Sequence, residues 1–131
     1  MTDPKDYLMQ YRDCMNRIRA IESHLQELRA VCEQLRTEDG HSIALDKAVA
    51  NLVDTETQCE AEIAHLLQTE TEVVCTIERV KEPYRTVLYE RYINGKTWEQ
   101  IAVQMNYCFR HTTKLHGTAL KLVKDVLECP I

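Results

Sequence analysis

Residues 97–114 read TWEQIAVQMNYCFRHTTK, and their spacing specifies two helices separated by a tight turn. Thr97 is a strong N-cap residue, and Gln100 three positions later completes the capping box in which side chain and backbone satisfy each other at a helix start. A helix is therefore predicted from Trp98. Ile101, Ala102 and Met105 fall on one face of it, and Ala102 is small where a second helix has to cross closely. Asn106 and Tyr107 break the pattern, since Asn tolerates the left-handed conformation a tight turn needs, and a second periodic run begins at Cys108. That run places Thr112, Leu115, Ala119 and Leu120 inward and Arg110, Thr113, Lys114 and Lys121 outward. A basic, polar helix face after a short turn is the device DNA-binding proteins set into a major groove.

The charge distribution supports that reading. The chain of 131 residues has a net charge of -5, which taken as one number disfavours a polyanionic partner. Residues 1–80 carry 8 Lys/Arg against 16 Asp/Glu, a balance of -8, while residues 81–131 carry 8 against 5, a balance of +3. Cations are thus concentrated around the motif, where phosphates would be met.

Upstream, the sequence is dominated by helical periodicity. Asp3 and Pro4 suit a helix start, and Leu8, Tyr11, Met15, Ile18, Leu25 and Cys32 recur at steps of three and four, with Ile21, Leu28 and Leu35 beside them. This predicts a helix of about 30 residues, roughly 45 Å long at 1.5 Å per residue. The run from Arg36 to Ser42, with Gly40 and His41 inside it, supplies turn chemistry. A second stripe follows through Leu45, Val49, Leu52, Cys59, Ile63, Leu66, Val73, Ile77 and Val80. Charged residues interrupt both seams at Glu22, Arg29, Glu56 and Glu70, where they either sit at a wet edge or, when paired, set register.

The fold expected is all-α. Residues 1–80 form a long antiparallel, coiled-coil-like helical hairpin for oligomerisation or partner binding, and residues 81–131 form a helix-turn-helix domain, with helix 74–80 shared. Two helices alone have little core, so association with a second copy, a dimer by preference, is expected through the N-terminal helices. Lys81-Glu82-Pro83 marks the break between the halves. A short helix follows with Tyr84, Val87, Leu88 and Tyr92, stopped by Asn94 and Gly95, and the last helix stops before Pro130.

Other classes find little support. The cysteines Cys14, Cys32, Cys59, Cys75, Cys108 and Cys129 are widely spaced, with no C-x-x-C or Cys/His cluster, so no metal and no cofactor is expected. Free thiols in a reducing cytoplasm are the default, and the charged start MTDPKDYLMQYRD resembles neither a signal peptide nor a membrane anchor. No nucleophile motif or Gly-rich phosphate loop is present, so catalytic residues are not assigned and an enzyme is not expected.

The run Ile77-x-x-Val80-x-x-Pro83-Tyr84-Arg85-x-x-Leu88-x-x-Arg91-Tyr92-Ile93-x-Gly95-x-Thr97-Trp98-x-x-Ile101-Ala102, followed by Tyr107 and by Leu115-His116-Gly117-x-Ala119-Leu120, resembles small phage and prophage proteins whose helix-turn-helix is like sigma-factor region 4. That group includes late-gene transcriptional regulators of the ArpU and RinA type. The resemblance implies sequence-specific binding of double-stranded DNA in promoter control within a bacterial cytoplasm, with RNA polymerase as a further partner. It implies base contacts from Phe109, Arg110, Thr113 and Lys114 in the first two turns of the second helix, and a phosphate near Thr97. Arg91, Lys96 and Lys121 are the other phosphate candidates. The chain departs from the group's usual pattern at Cys108, where Ser or Thr caps the helix, at Phe109, where Arg is frequent, and at Thr112, where Val or Ile is frequent.

Two other functions use similar parts. A small terminase-like DNA-packaging component also joins a helix-turn-helix to an oligomerising helical region, and an RNA polymerase-binding module needs no DNA readout at all. Trp98 is expected at the domain core or edge, His111 as either a DNA contact or a bystander, His116 packed within the domain, and Gly117 at a close approach of two helices.

Overall fold

The structure, a computed structural model, describes residues 3–39 and 42–129. Among these residues it is all-helical, without strands. Helix α1 spans Pro4–Asp39 and α2 spans Ile43–Glu78. A short α3 (Tyr84–Leu88) runs directly into a π-helical turn (Tyr89–Ile93), and α4 (Trp98–Met105) and α5 (Phe109–Glu128) follow. The proposed turn residues Gly40 and His41, and the stop residue Pro130, lie outside the described residues.

Local chemistry explains the boundaries. Asp3 opens α1 by accepting the Lys5 amide at 2.9 Å, and Ser42 opens α2 by accepting the Leu45 amide at 3.1 Å. Helix α2 ends at Glu78, two residues before the last member of the expected stripe, Val80, and the chain stays out of helical geometry up to Pro83, which disfavours it at Glu82. Val80 is nonetheless buried, now from a turn.

Contacts group the chain into two compact units that differ from a division at residue 80: residues 1–14 with 68–131, and residues 15–67. In the first unit the core is built from Leu8, Val73, Ile77, Val80, Leu88, Tyr92, Ile93, Ala119 and Val123. The opening turns of α1 are thus part of the C-terminal core, since Leu8 is fully buried there. Tyr7 Oη is hydrogen-bonded to the buried Thr76 Oγ1 at 2.9 Å, and Thr76 Oγ1 also donates to the Glu72 carbonyl at 3.0 Å. The Arg12 guanidinium donates to the carbonyl of Ile93 at 2.9 Å, where the π turn ends.

The second unit contains the remainder of α1 and α2. Ile21, Leu25, Cys32 and Leu45 are buried there. Arg17 pairs with Glu62 at 2.8 Å and Arg29 with Glu56 at 3.2 Å, so partners fall in number along α2 as they rise along α1. Two of the seam interruptions, Arg29 and Glu56, are therefore each other's partners. Such exposed pairs contribute at most about 1 kcal/mol each, and their value lies in register. Val31, Val53 and Leu67 remain about half exposed, at 49%, 53% and 48%.

Gly95 has φ of +70°, a conformation that suits Gly best and strains most other residues, and a Cβ built there would stand 2.5 Å from Arg12 Nη2. Gly95→Ala is expected to strain the backbone by about 1–2 kcal/mol, and to dislodge Arg12 as well. The measured outcome would be a lower thermal midpoint together with earlier denaturant unfolding, and Arg12→Ala should remove part of the difference between Gly and Ala at position 95.

Candidate nucleic-acid interface

The two helices of the motif form as their caps dictate. Thr97 Oγ1 accepts the Gln100 amide at 3.2 Å and Gln100 Oε1 accepts the Thr97 amide at 2.9 Å, which completes the capping box at the start of α4. Helix α4 closes on Asn106, left-handed at φ 60° and ψ 38°, with the Tyr107 amide donating back to the Ala102 carbonyl at 2.9 Å. Cys108 then caps α5, its Sγ accepting the His111 amide at 3.4 Å, a weaker acceptor than a hydroxyl. Ile101, Ala102, Thr112, Leu115 and Ala119 are buried on the facing sides of α4 and α5. The hydroxyl of Thr112 is satisfied in that setting, donating to the Cys108 carbonyl at 3.0 Å.

An aromatic and polar cluster braces this pair against the π turn. Tyr92 Oη is hydrogen-bonded to His116 Nε2 at 2.7 Å. The Trp98 ring lies 4.5 Å from the imidazole, and the Arg91 guanidinium sits over Trp98 at 4.6 Å from its centre. Burial pushes the His116 imidazole down to about 4, with Lys5 and Arg91 adding in the same direction, and pushes the Tyr92 phenol up to about 12. Both groups are therefore neutral near pH 7, and His116 is a packing residue that joins the π turn, α4 and α5.

The predicted base-contact residues all lie in the first six positions of α5. Arg110 and Lys114 are exposed four residues apart, and no ion pair occupies either among the described residues. Phe109 is 49% exposed beside them. Thr113 is half-buried and its hydroxyl donates to the Arg110 carbonyl at 2.9 Å, leaving lone pairs but not the proton for an external group. His111 lies against Tyr107 edge to face, 4.7 Å between ring centres.

The phosphate candidates divide. Lys121 is exposed, and Thr97 is exposed at the start of α4 with its oxygen engaged in the cap. Arg91 is half-buried, lying over Trp98 and donating to the Lys96 carbonyl at 2.9 Å. Lys96 is paired with Glu90 at 2.6 Å and hydrogen-bonded to Gln104, and this ammonium, with Asn94, holds the Glu90 carboxyl below its ordinary range. Sequence reading did not assign Glu90 or Gln104 to the site. The i,i+4 relation of Glu90 to Asn94 was visible, whereas the eight-residue reach from Lys96 to Gln104 was not.

The expectation for Gly117 is corrected. It lies on the exposed side of α5, and a Cβ there would meet nothing within 4 Å, so it does not serve a helix crossing inside this chain. Among the described residues no group of three His, Cys, Asp or Glu side chains converges as a metal site, and no helix is long and apolar enough to cross a membrane. No family model, curated protein or solved structure matches this chain.

The His116 environment makes stability depend on pH in a definite direction. The unfolded chain takes up a proton on this residue near 6.5, while the folded chain resists protonation until about 4. Stability is therefore complete above about pH 6.5 and declines as pH falls towards 4. Thermal melts between pH 7 and pH 5 should show a falling midpoint, and His116→Gln should flatten that slope while lowering the midpoint at pH 7. An unchanged slope in the variant would place the pH dependence elsewhere.

Proposed function

We propose that this chain is a sequence-specific DNA-binding transcriptional regulator of phage or prophage type, acting in a bacterial cytoplasm. Its C-terminal part is read as a sigma region 4-like helix-turn-helix, with α4 as the supporting helix and α5 as the reading helix. Its N-terminal part is read as an antiparallel helical hairpin that sets oligomeric state. The observation that carries this reading is the unpaired, exposed Arg110 and Lys114 on the first two turns of α5, directly after a capped helix and a left-handed turn.

The mechanism has two parts. Arg110 can bond bidentately to guanine O6 and N7, Lys114 can reach guanine or a phosphate, and Phe109 can lie against a thymine methyl. Thr113 is restricted to accepting, as from an adenine or cytosine amino group. Thr97 and Lys121 anchor phosphates and fix register, since backbone contacts position while base contacts specify. Arg91 and Lys96 serve this surface by holding the start of α4 in place; Lys96 reaches a phosphate by exchanging Glu90 for the nucleic acid, and Arg91 by leaving the Lys96 carbonyl.

The exposed Val103, at 79%, and Phe109 favour a second reading, an RNA polymerase-binding module without DNA readout. The half-exposed Val31, Val53 and Leu67 support a homodimer through the N-terminal helices. A ring of many copies would instead favour a DNA-packaging role.

Selection from a random duplex library, followed by titration of the selected site over a range of salt, tests the proposal. Affinity should fall steeply with salt, and Arg110→Ala should cost about 1–3 kcal/mol and relax preference at one base position. Copurification with polymerase without duplex binding would transfer the role to the second reading. Sedimentation equilibrium is expected to give a dimer, and Val31→Glu with Val53→Glu should yield a folded monomer.

A further inference from the structure

Gly117 stands in the interior of α5, the 20-residue helix that carries the proposed reading surface. Gly in such a place costs about 1 kcal/mol relative to Ala. Gly117 has no positive φ, and nothing lies within 4 Å of where a Cβ would be. Among the described residues no close neighbour accounts for that cost.

Its neighbours along the helix suggest where the reason lies. Arg110, Lys114, Gly117, Lys121 and Lys124 are all exposed and follow one another at steps of four, three, four and three. At 3.6 residues per turn they fall within an arc of about 80°, and they extend over about 21 Å of helix. Gly117 is the only member without a charge or a side chain, and it lies at the centre. A major groove is about 12 Å wide. Gly117 is about 10 Å along the axis from Arg110, which is where a helix entering the groove at Arg110 meets the sugar-phosphate ridge on the far side.

We infer that Gly117 is the point at which one strand's sugar-phosphate backbone passes in contact with the α5 backbone, with Lys121 and Lys124 holding the phosphates beyond it. The occupant is duplex nucleic acid, because among the described residues no carboxylate is paired with any of the four cations, the one acidic residue on the same strip, Glu128, stands at its far end, and the neutral position between the cations lacks a side chain. Lys124 and Gly117 thereby join the interface, which extends past the first two turns of α5. This inference rests on the duplex-binding reading of Arg110 and Lys114.

The test is fluorescence anisotropy with a labelled mixed-sequence duplex about three helical turns long, with thermal melts of each variant. Gly117→Ala is expected to raise the melting temperature, since α5 gains helix propensity, while weakening duplex binding about threefold. Gly117→Gln should weaken binding about tenfold with the fold retained. Lys124→Ala should lower the slope of log affinity against log salt by about one. If the Arg110→Ala, Lys114→Ala double variant loses affinity and Gly117→Gln binds as the wild type does, close contact at Gly117 is overturned and the duplex reading stands. If the double variant binds unchanged, both are overturned. An unaltered salt slope in Lys124→Ala overturns the extension of the interface to that residue.

Discussion

The hydrogen bond from Tyr92 to His116 is the joint on which the C-terminal part of the molecule depends. It links the π turn to α5 at 2.7 Å, in a setting where both partners are neutral and burial raises the cost of leaving either unpaired. Trp98, the first residue of α4, packs on the same imidazole, and Arg91 covers the indole. Three elements therefore share one small cluster. These four side chains, together with the buried Ile101, Ala102 and Leu115, hold α4 against α5 and so orient Arg110 and Lys114.

The π turn just before α4 gives this cluster its geometry. Its Asn94 amide donates to the Tyr89 carbonyl at 3.1 Å and the Lys96 amide to the Glu90 carbonyl at 3.0 Å, so the chain carries an extra residue before it turns. The consequence is visible in the charges. Glu90 and Lys96 meet, Arg91 reaches the Lys96 carbonyl, and Arg12 caps the carbonyl of Ile93. Two cations that stand beside the proposed DNA surface in sequence are spent on holding the loop, while Arg110, Lys114 and Lys121 on α5 are not.

What the sequence made legible was whatever is decided within four or five residues. The capping box of Thr97 and Gln100, the left-handed Asn106 and the cap at Cys108 are each local bargains between a side chain and a nearby amide, and residue type settles them. The burial of Thr112, Leu115 and Ala119 also followed from spacing. Periodicity showed that Leu8 faces something apolar but not what, because its step from the next stripe residues is the same as elsewhere along α1. Its true neighbours are Val73, Ile77 and residues near the end of the chain. The same limit applies to Lys96 and Arg91, which look like any surface cations until Glu90 and Trp98 are brought beside them. Gly117 suggests a helix crossing because a glycine in a helix leaves room for a neighbour, yet no described atom of this chain lies within 4 Å of where its Cβ would be.

The contact between Arg12 and Gly95 ties two positions that are far apart in the chain to one small volume. Arg12 occupies the space a side chain at 95 would need, and it is the backbone at 93 that rewards it for being there. As such sequences diverge, these two sites are therefore expected to drift as a pair. A shorter residue at 12 would open the way for Asn at 95, the other residue at ease with a positive φ, whereas a long basic residue at 12 would keep glycine in place.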